Sequence, residues 1–402
     1  MRNNSIAMTA QLALLIVALL YLATKALLDT SDTTDFKSIW LAGRFWLGGL
    51  NPYSLEYAQA GESLFVGLNR PNGWFYPPNW WPIAVAISFL DYDLAGRVWR
   101  ILNGCLVILG CAVLISCFRD YQRNSLRWIA VVIVVYVSTM SATAISLSLG
   151  QTSILIFFGL CLFTRAWLFE DWRLMIVALA LLALKPPIGL VLAGLLMPAK
   201  FWWRSLLGAG VVVCLFSTPP LLLHGWDGVI SLMLLRIEDY GSFDVNAPPS
   251  TTGLRSILFH IFGASVSPVH LTLLALISSS CLGILSLRFQ LERDRLLSLS
   301  ATIAAGVAIV PMHTYDAVLL APLVLAVPVL SFGIGFFVFL SLLVVWRNNN
   351  LSELFDLVAQ GETYFSGTLV LSVVALILTL FLAALVTVRA VRGIEQERPA
   401  TG

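Results

Sequence analysis

The sequence predicts an all-α polytopic membrane protein, one integral membrane domain over residues 1–402 with roughly ten to twelve transmembrane helices. Three observations carry this. Of the 402 residues, 59% are hydrophobic and 11% charged, against about 25% charged in soluble globular domains. The mean hydropathy is +0.88, too high to be hidden in one water-soluble core. Apolar runs of bilayer length also recur along the chain, separated by short basic connectors.

The elements follow in order. The first run, 7–28, follows Arg2 and ends in polar and acidic residues without a small-residue cleavage pattern. That predicts a retained span rather than a cleaved signal peptide. Further spans are expected at 94–118, 128–145, 153–169, 205–223, 270–287, 296–310 and 366–387. Residues 174–199 are interrupted by Lys185-Pro186-Pro187 and read either as two short spans or as one broken one. Residues 317–346 are long enough for two short spans, with a break near Ser331-Phe332-Gly333. The stretch 77–90 is about two-thirds of a span and reads as re-entrant or interfacial.

Charge sets the orientation. Arg119, Arg123 and Arg127 form one basic connector, Lys200 and Arg204 a second, and Arg288, Arg293 and Arg295 a third. Arg389, Arg392 and Arg398 close the chain. The positive-inside rule makes all of them cytoplasmic. They share one side only if 77–90 does not cross and 174–199 crosses twice. The other side then receives a first loop, 29–93, a second loop, 224–268, with Asp227, Glu238, Asp239 and Asp244, and the segment starting at Asn348. It is acidic and rich in Trp and Tyr, so the chemistry is expected there.

The first loop is patterned. Phe36, Ile39, Trp40, Gly43, Phe45, Trp46 and Leu47 share a helical apolar face. Asn51-Pro52-Tyr53 is a turn, and 55–68 reads as a second amphipathic helix. Such juxtamembrane helices are expected in the interface plane with their aromatics at headgroup depth, which makes Phe36 an interfacial anchor.

Several residues invite chemistry, each beside a plainer reading. Asp35 precedes the amphipathic helix. It reads as a helix N-cap, or as a partly buried carboxylate of raised pKa suited to general-base work. Asp29 and Asp32 read as solvated loop charges. Trp74-Phe75-Tyr76-Pro77-Pro78 is an aromatic belt or a wall for a lipid chain or sugar ring. Arg97 and Arg100 either snorkel to headgroups or bind a substrate phosphate. Gly150-Gln151-Thr152 opens a span from the outer side, as a cap or with Gln151 pointing into a cavity. Lys185, beside a helix break, either snorkels or holds an anionic phosphate. In Met312-His313-Thr314-Tyr315-Asp316, the histidine and aspartate lie three apart on one helical face and could orient each other or bind a phosphate.

Other chemistries are excluded or disfavoured. Cys105, Cys111, Cys117, Cys161, Cys214 and Cys281 all lie in apolar runs and read as packing residues. His224, His260 and His270 read as loop or interface residues, and no second His or Cys near His313 supports a metal site. No cofactor is expected. Walker A, Rossmann and H-E-x-x-H patterns are absent. Asp91-Tyr92-Asp93 has the D-x-D form of nucleotide-sugar enzymes but falls on the outer side, away from such donors. No basic cluster stands outside the connectors, so nucleic acid is not an expected partner.

The ordered set of motifs resembles a known family. Asp35-Phe36, Ala42-Gly43-Arg44, Asn51-Pro52-Tyr53, Phe75-Tyr76-Pro77-Pro78, Gly150-Gln151, Lys185-Pro186-Pro187 and His313-Thr314-Tyr315-Asp316 follow the order and rough spacing of family 87 glycosyltransferases. These are bacterial multispanning enzymes with a GT-C-type bundle, among them polyprenol-phosphate-mannose-dependent α-mannosyltransferases. The likeness covers about residues 1–330. It implies a polyprenyl phosphate sugar donor, a glycolipid or glycan acceptor, membrane lipids as surroundings, and inverting transfer on the outer face of the bacterial inner membrane. It implies Asp35 as the acceptor-activating base and His313 near the donor phosphate, with Lys185 adding positive charge there; by charge alone, Arg97 and Arg100 could stabilise the leaving phosphate as well. Tyr76, Gln151, Tyr315 and Asp316 are then substrate contacts. The sequence departs from the family at Lys185-Pro186-Pro187, where a polar residue often follows Lys-Pro. The rival reading is a transporter or flippase of a lipid-linked sugar or polar lipid. Such proteins usually carry repeats and midplane sites, whereas this chain shows no repeat and gathers its polar clusters at one face.

Overall fold

The structure, a computed structural model, describes residues 2–28, 34–65, 73–118, 123–240, 246–286, 292–347 and 367–397. Asp29, Asp32, residues 66–68, Arg119, Asp244, Arg288, Arg398 and the segment from Asn348 lie outside them. Among the described residues the chain is helical, and one isolated bridge, Thr252 with Met312, pairs extended backbone.

The helices are α1 (Arg2–Leu27), α2 (Thr34–Leu47), α3 (Leu55–Leu64), α4 (Trp81–Ser88), α5 (Tyr92–Ser116), α6 (Arg123–Thr139), α7 (Ser141–Leu149), α8 (Ser153–Phe169) and α9 (Trp172–Leu182). Then come α10 (Pro186–Leu196), α11 (Trp202–Trp226), α12 (Leu232–Tyr240), α13 (Leu254–Phe262), α14 (Pro268–Ser286), α15 (Glu292–Ile309), α16 (Ala326–Val329), α17 (Phe332–Trp346) and α18 (Gly367–Glu397). A 3-10 turn, Pro78–Trp80, leads into α4, and a 3-10 helix, Thr314–Leu325, precedes α16.

Among the described residues, five stretches are long and apolar enough to cross a membrane: Ala7–Leu27, Tyr92–Ser116, Trp202–Ile237, Pro268–Ser286 and Thr368–Val391. A sixth forms if α6 and α7, bent by 47° to each other, count as one span. The expected ten to twelve is reached only by adding the shorter apolar helices of 10–17 residues. At 1.5 Å per residue the α-helices among them reach about 15–25 Å, short of a hydrocarbon core of about 30 Å. They are not alike: α8 and the 3-10 helix Thr314–Leu325 are buried along most of their length, whereas α9 and α17 bury one face each and leave Val177, Phe332, Phe336 and Leu340 exposed.

The break in 174–199 is informative. Asp171 accepts hydrogen bonds from the Arg173 and Leu174 amides at 3.0 and 3.1 Å and starts α9. Pro186 and Pro187 then restart the helix as α10, where the missing proline N–H is harmless. Ser205, in the first turn of α11, lies 3.5 Å from the Trp172 carbonyl in the first turn of α9. The chain therefore climbs α9 and returns down α10 to the end it left. Each arm has 11 residues and rises about 16 Å. The break takes the form of a helical hairpin of two short arms, and Lys185 stands at its vertex. Even parity is kept.

The basic connectors open from that same end. Arg165 reaches Ser116 at 2.6 Å, Trp167 donates to the Arg295 carbonyl at 3.1 Å, and Arg295 pairs with Glu170 at 2.5 Å. These contacts put the end of α5, the end of α8 and the start of α15 at one level. At the opposite end, α4 is an eight-residue helix that does not cross. It packs on α2, and Trp40 donates to the Leu90 carbonyl at 2.9 Å. Gly43 makes that crossing close, because a Cβ there would collide with the Ala84 carbonyl. The break expected near Ser331 is present, between α16 and α17.

The first loop differs from the expected interfacial helices. Phe36, Ile39, Gly43, Phe45 and Trp46 are buried in protein, and of the apolar face Leu47 is exposed. The face is apolar because it packs on α4 and α5. The start of the second loop is also helical, since α11 continues past the kink at Gly225 into α12. The two loops are joined directly: the Asn51 amide donates to the Gly228 carbonyl at 2.5 Å, and Arg236 donates to the Tyr53 carbonyl at 3.0 Å.

Candidate active site

Asp35 lies in the first turn of α2, one residue after Thr34, rather than at the N-cap. That position suits a carboxylate, because unpaired N–H groups and the helix dipole favour negative charge there. Gln151 Nε2 donates to Asp35 Oδ2. Gln151 is fixed by its backbone: Gly150 ends α7 in the left-handed region at φ 69°, and the Gln151 amide donates to the Ser146 carbonyl at 2.8 Å. Trp99 donates to the Gly150 carbonyl at 2.9 Å and stacks on Phe36 at 5.6 Å. Phe36 is therefore not a headgroup anchor. It is fully buried and locks α2 onto α5, which holds Asp35 against Gln151.

Burial raises the Asp35 carboxyl from its ordinary range to about 6; the Gln151 hydrogen bond opposes this, the Asp316 charge adds to it and the Lys185 charge opposes it. Asp316 and Lys185 are thus within electrostatic reach of Asp35. Between themselves they form an ion pair, Lys185 Nζ to Asp316 Oδ1 at 2.5 Å, with the Asp316 side chain 1% exposed. Ser153 donates to the same oxygen, and the His313 amide donates to Oδ2 at 3.2 Å.

The expected side-chain pairing of His313 with Asp316 does not form. The chain there is 3-10, and the carboxylate takes the His313 main-chain N–H instead. The imidazole turns away, with Nε2 at 3.1 Å from Asn246 Oδ1, and stacks on Tyr315 at 5.1 Å. Burial draws its pKa below the usual imidazole range. Asn246 and Ser153 escape sequence reasoning. Asn246 stands in a loop before Ala247-Pro248-Pro249, and that turn was the available signal.

The aromatic segment does form a wall. Tyr76 is half-buried between Trp74 at 4.9 Å and Trp80 at 5.3 Å, and its carbonyl accepts the Tyr53 hydroxyl at 2.7 Å. Trp80 donates to the Leu184 carbonyl at 2.9 Å, next to Lys185. The structure thus brings together Asp35, Gln151, Lys185, His313, Tyr315 and Asp316, with Tyr76 joined through Trp80. Arg100 is half-buried beside Trp99 in α5. Arg97 is exposed, two residues and about 200° around the helix from Trp99.

A half-buried carboxylate, a facing amide, a buried ion pair and an imidazole at one end of an apolar bundle can deprotonate a hydroxyl and receive an anion. The sequence profile described as glycosyltransferase family 87 matches residues 74–322. No curated protein matches the chain. The match covers Tyr76, Arg97, Arg100, Gln151, Lys185, His313, Tyr315 and Asp316, and begins after Asp35. It spans more than half of this multi-pass helical chain, which therefore belongs to glycosyltransferase family 87 and is a membrane glycosyltransferase.

Proposed function

We propose that the protein transfers a sugar from a polyprenyl-phosphate-linked donor to an acceptor hydroxyl at the outer face of a bacterial inner membrane, with inversion at the anomeric carbon. The observation that carries this reading is Asp35, a partly buried carboxylate with one oxygen held by Gln151 and a pKa raised to about 6. Such a group accepts a proton near neutral pH. In the transfer step the acceptor hydroxyl gives its proton to Asp35 as its oxygen bonds to the anomeric carbon. The bond from that carbon to the phosphate oxygen breaks, and its electron pair leaves on the phosphate. Inversion needs one carboxylate, whereas a glycosidase would set two around the bond. The neighbouring Asp316 is engaged by Lys185, Ser153 and the His313 amide.

Charge developing on the leaving phosphate requires preorganised donors. His313, Lys185 and Arg100 supply them in this reading, with Arg97 at the lipid-facing rim. Asp316 then acts through Lys185 rather than on the sugar, and Tyr76 and Tyr315 offer ring faces to the substrate. The outer-face assignment rests on the basic connectors opening from the end opposite Asp35.

The test is sugar transfer by membranes containing the protein, screened with radiolabelled polyprenyl phosphate sugars. Wild type should label an endogenous glycolipid or glycan with at least one donor, and Asp35→Asn should not. Full transfer by a folded Asp35→Asn protein would remove Asp35 as the base, and no transfer from any such donor would remove the donor class.

A further inference from the structure

Lys185, which acts electrostatically on the base, has its charge offset by Asp316. A departing phosphate gains most from a further positive charge that no carboxylate offsets. Arg255, in the first turn of α13, has that property. It is 7% exposed, its NH1 donates to the Asn246 carbonyl at 2.7 Å, and its Nε is buried with no hydrogen-bond partner. No carboxylate pairs with it among the described residues. Burial alone draws its pKa down from the guanidinium range.

A covered guanidinium without a counter-anion is costly, because desolvation is not offset by an ion partner. Such a group is retained where an anion completes it, and the planar fork of Arg suits phosphate oxygens. Its position is specified. The residue it bonds, Asn246, is the one whose side chain meets His313 Nε2 at 3.1 Å. One residue thus separates Arg255 from the imidazole. The Thr252 amide donates to the Met312 carbonyl at 2.6 Å, which fastens the start of α13 to the segment carrying His313. Gly253, at φ 95°, sits against the Val310 carbonyl, where a Cβ would come within 3.0 Å.

We propose that Arg255 is a phosphate-binding residue of the donor site, set beside His313 by Asn246, and that the anion it lacks is the polyprenyl phosphate. This rests on the donor class proposed above. On turnover Arg255 would donate hydrogen bonds to phosphate oxygens as they gain charge, with no proton or bond of its own changing hands.

The test measures binding of polyprenyl phosphate to the full-length protein in lipid nanodiscs, together with thermal unfolding with and without that ligand. Arg255→Gln should weaken binding by about 10–100-fold, the range for lost charge-assisted hydrogen bonds. It should also abolish the ligand-induced rise in Tm while leaving the ligand-free Tm equal or higher, because an unpaired buried charge has been removed. A merely structural arginine predicts the reverse, a lower ligand-free Tm with the ligand-induced rise kept. Arg255→Lys keeps the charge and loses the fork, so it should fall between. Wild-type affinity in Arg255→Gln would overturn the role of Arg255 and leave the donor class standing. Failure of wild type to bind polyprenyl phosphate would overturn both.

Discussion

Replacing Gln151 with Leu tests the base by retuning it rather than deleting it. The amide of Gln151 favours the ionised form of Asp35, whose pKa is about 6. A hydrogen bond to a charged group contributes about 1.5–3 kcal/mol. At 1.36 kcal/mol per unit, its loss raises the Asp35 pKa by about one to two units. The ascending limb of kcat/KM against pH should move from about 6 to about 7–8. At pH 6 wild type is about half ionised, and the variant, taken at about 7.5, only about 3%, a loss of about 15-fold. Near pH 9 the two should converge, because both carboxylates are then ionised. The assay is the initial rate of sugar transfer from a polyprenyl phosphate donor, whose phosphodiester does not titrate in this interval. An unmoved limb, or a uniform loss at every pH, would refute the assignment of Asp35 as the titrating base.

Three further outcomes are expected. Asp35→Asn should lower kcat by about 10²–10⁴-fold while unfolding at an equal or higher temperature near neutral pH. The sign follows from the raised pKa: burial penalises the ionised form, so the penalty grows as pH rises from about 4 to 6, is complete above that, and the gain from Asn vanishes at lower pH. Asp316→Asn should destabilise the fold by about 1–3 kcal/mol, because the quarter-exposed Lys185 loses its partner and Ser153 its acceptor, and adding Lys185→Met should recover part of it in a double-mutant cycle of unfolding. Gly43→Ala should push α2 off α4, costing about 1–3 kcal/mol and lowering transfer by displacing Asp35, read from unfolding and rate together.

The parts legible in the sequence were those set by local pattern and charge. Apolar composition gave the helical membrane class, and Lys185-Pro186-Pro187 gave a helix break. The aromatic periodicity from Phe36 to Trp46 gave α2. The same pattern does not say what a face is buried against, so those aromatics read as lipid-facing although they pack on α4 and α5. Hydropathy also cannot separate a short helix inside a bundle from a span, so sequence alone does not divide the shorter apolar helices between the two. At the site, Asp35, Gln151, Lys185 and His313 were visible as polar residues in apolar context. Their partners were not. The Lys185–Asp316 pair joins residues 131 positions apart, and the ring of His313 is held by Asn246 from a loop that carries no periodicity. The expected His313–Asp316 pairing assumed α-helical spacing where the chain is 3-10.

The half-burial of Asp35 bears on resetting as well as on attack. Each turnover leaves a proton on the base, and the enzyme is inactive until that proton departs. With a pKa of about 6, a protonated Asp35 at pH 7 favours release by about tenfold. A carboxylate sealed as completely as Asp316, but without the Lys185 charge that keeps Asp316 ionised, would hold its proton and stall after one transfer. The opening that admits the acceptor is thus also the exit for the proton, and closing it further would trade a stronger base for a slower return to the ready state.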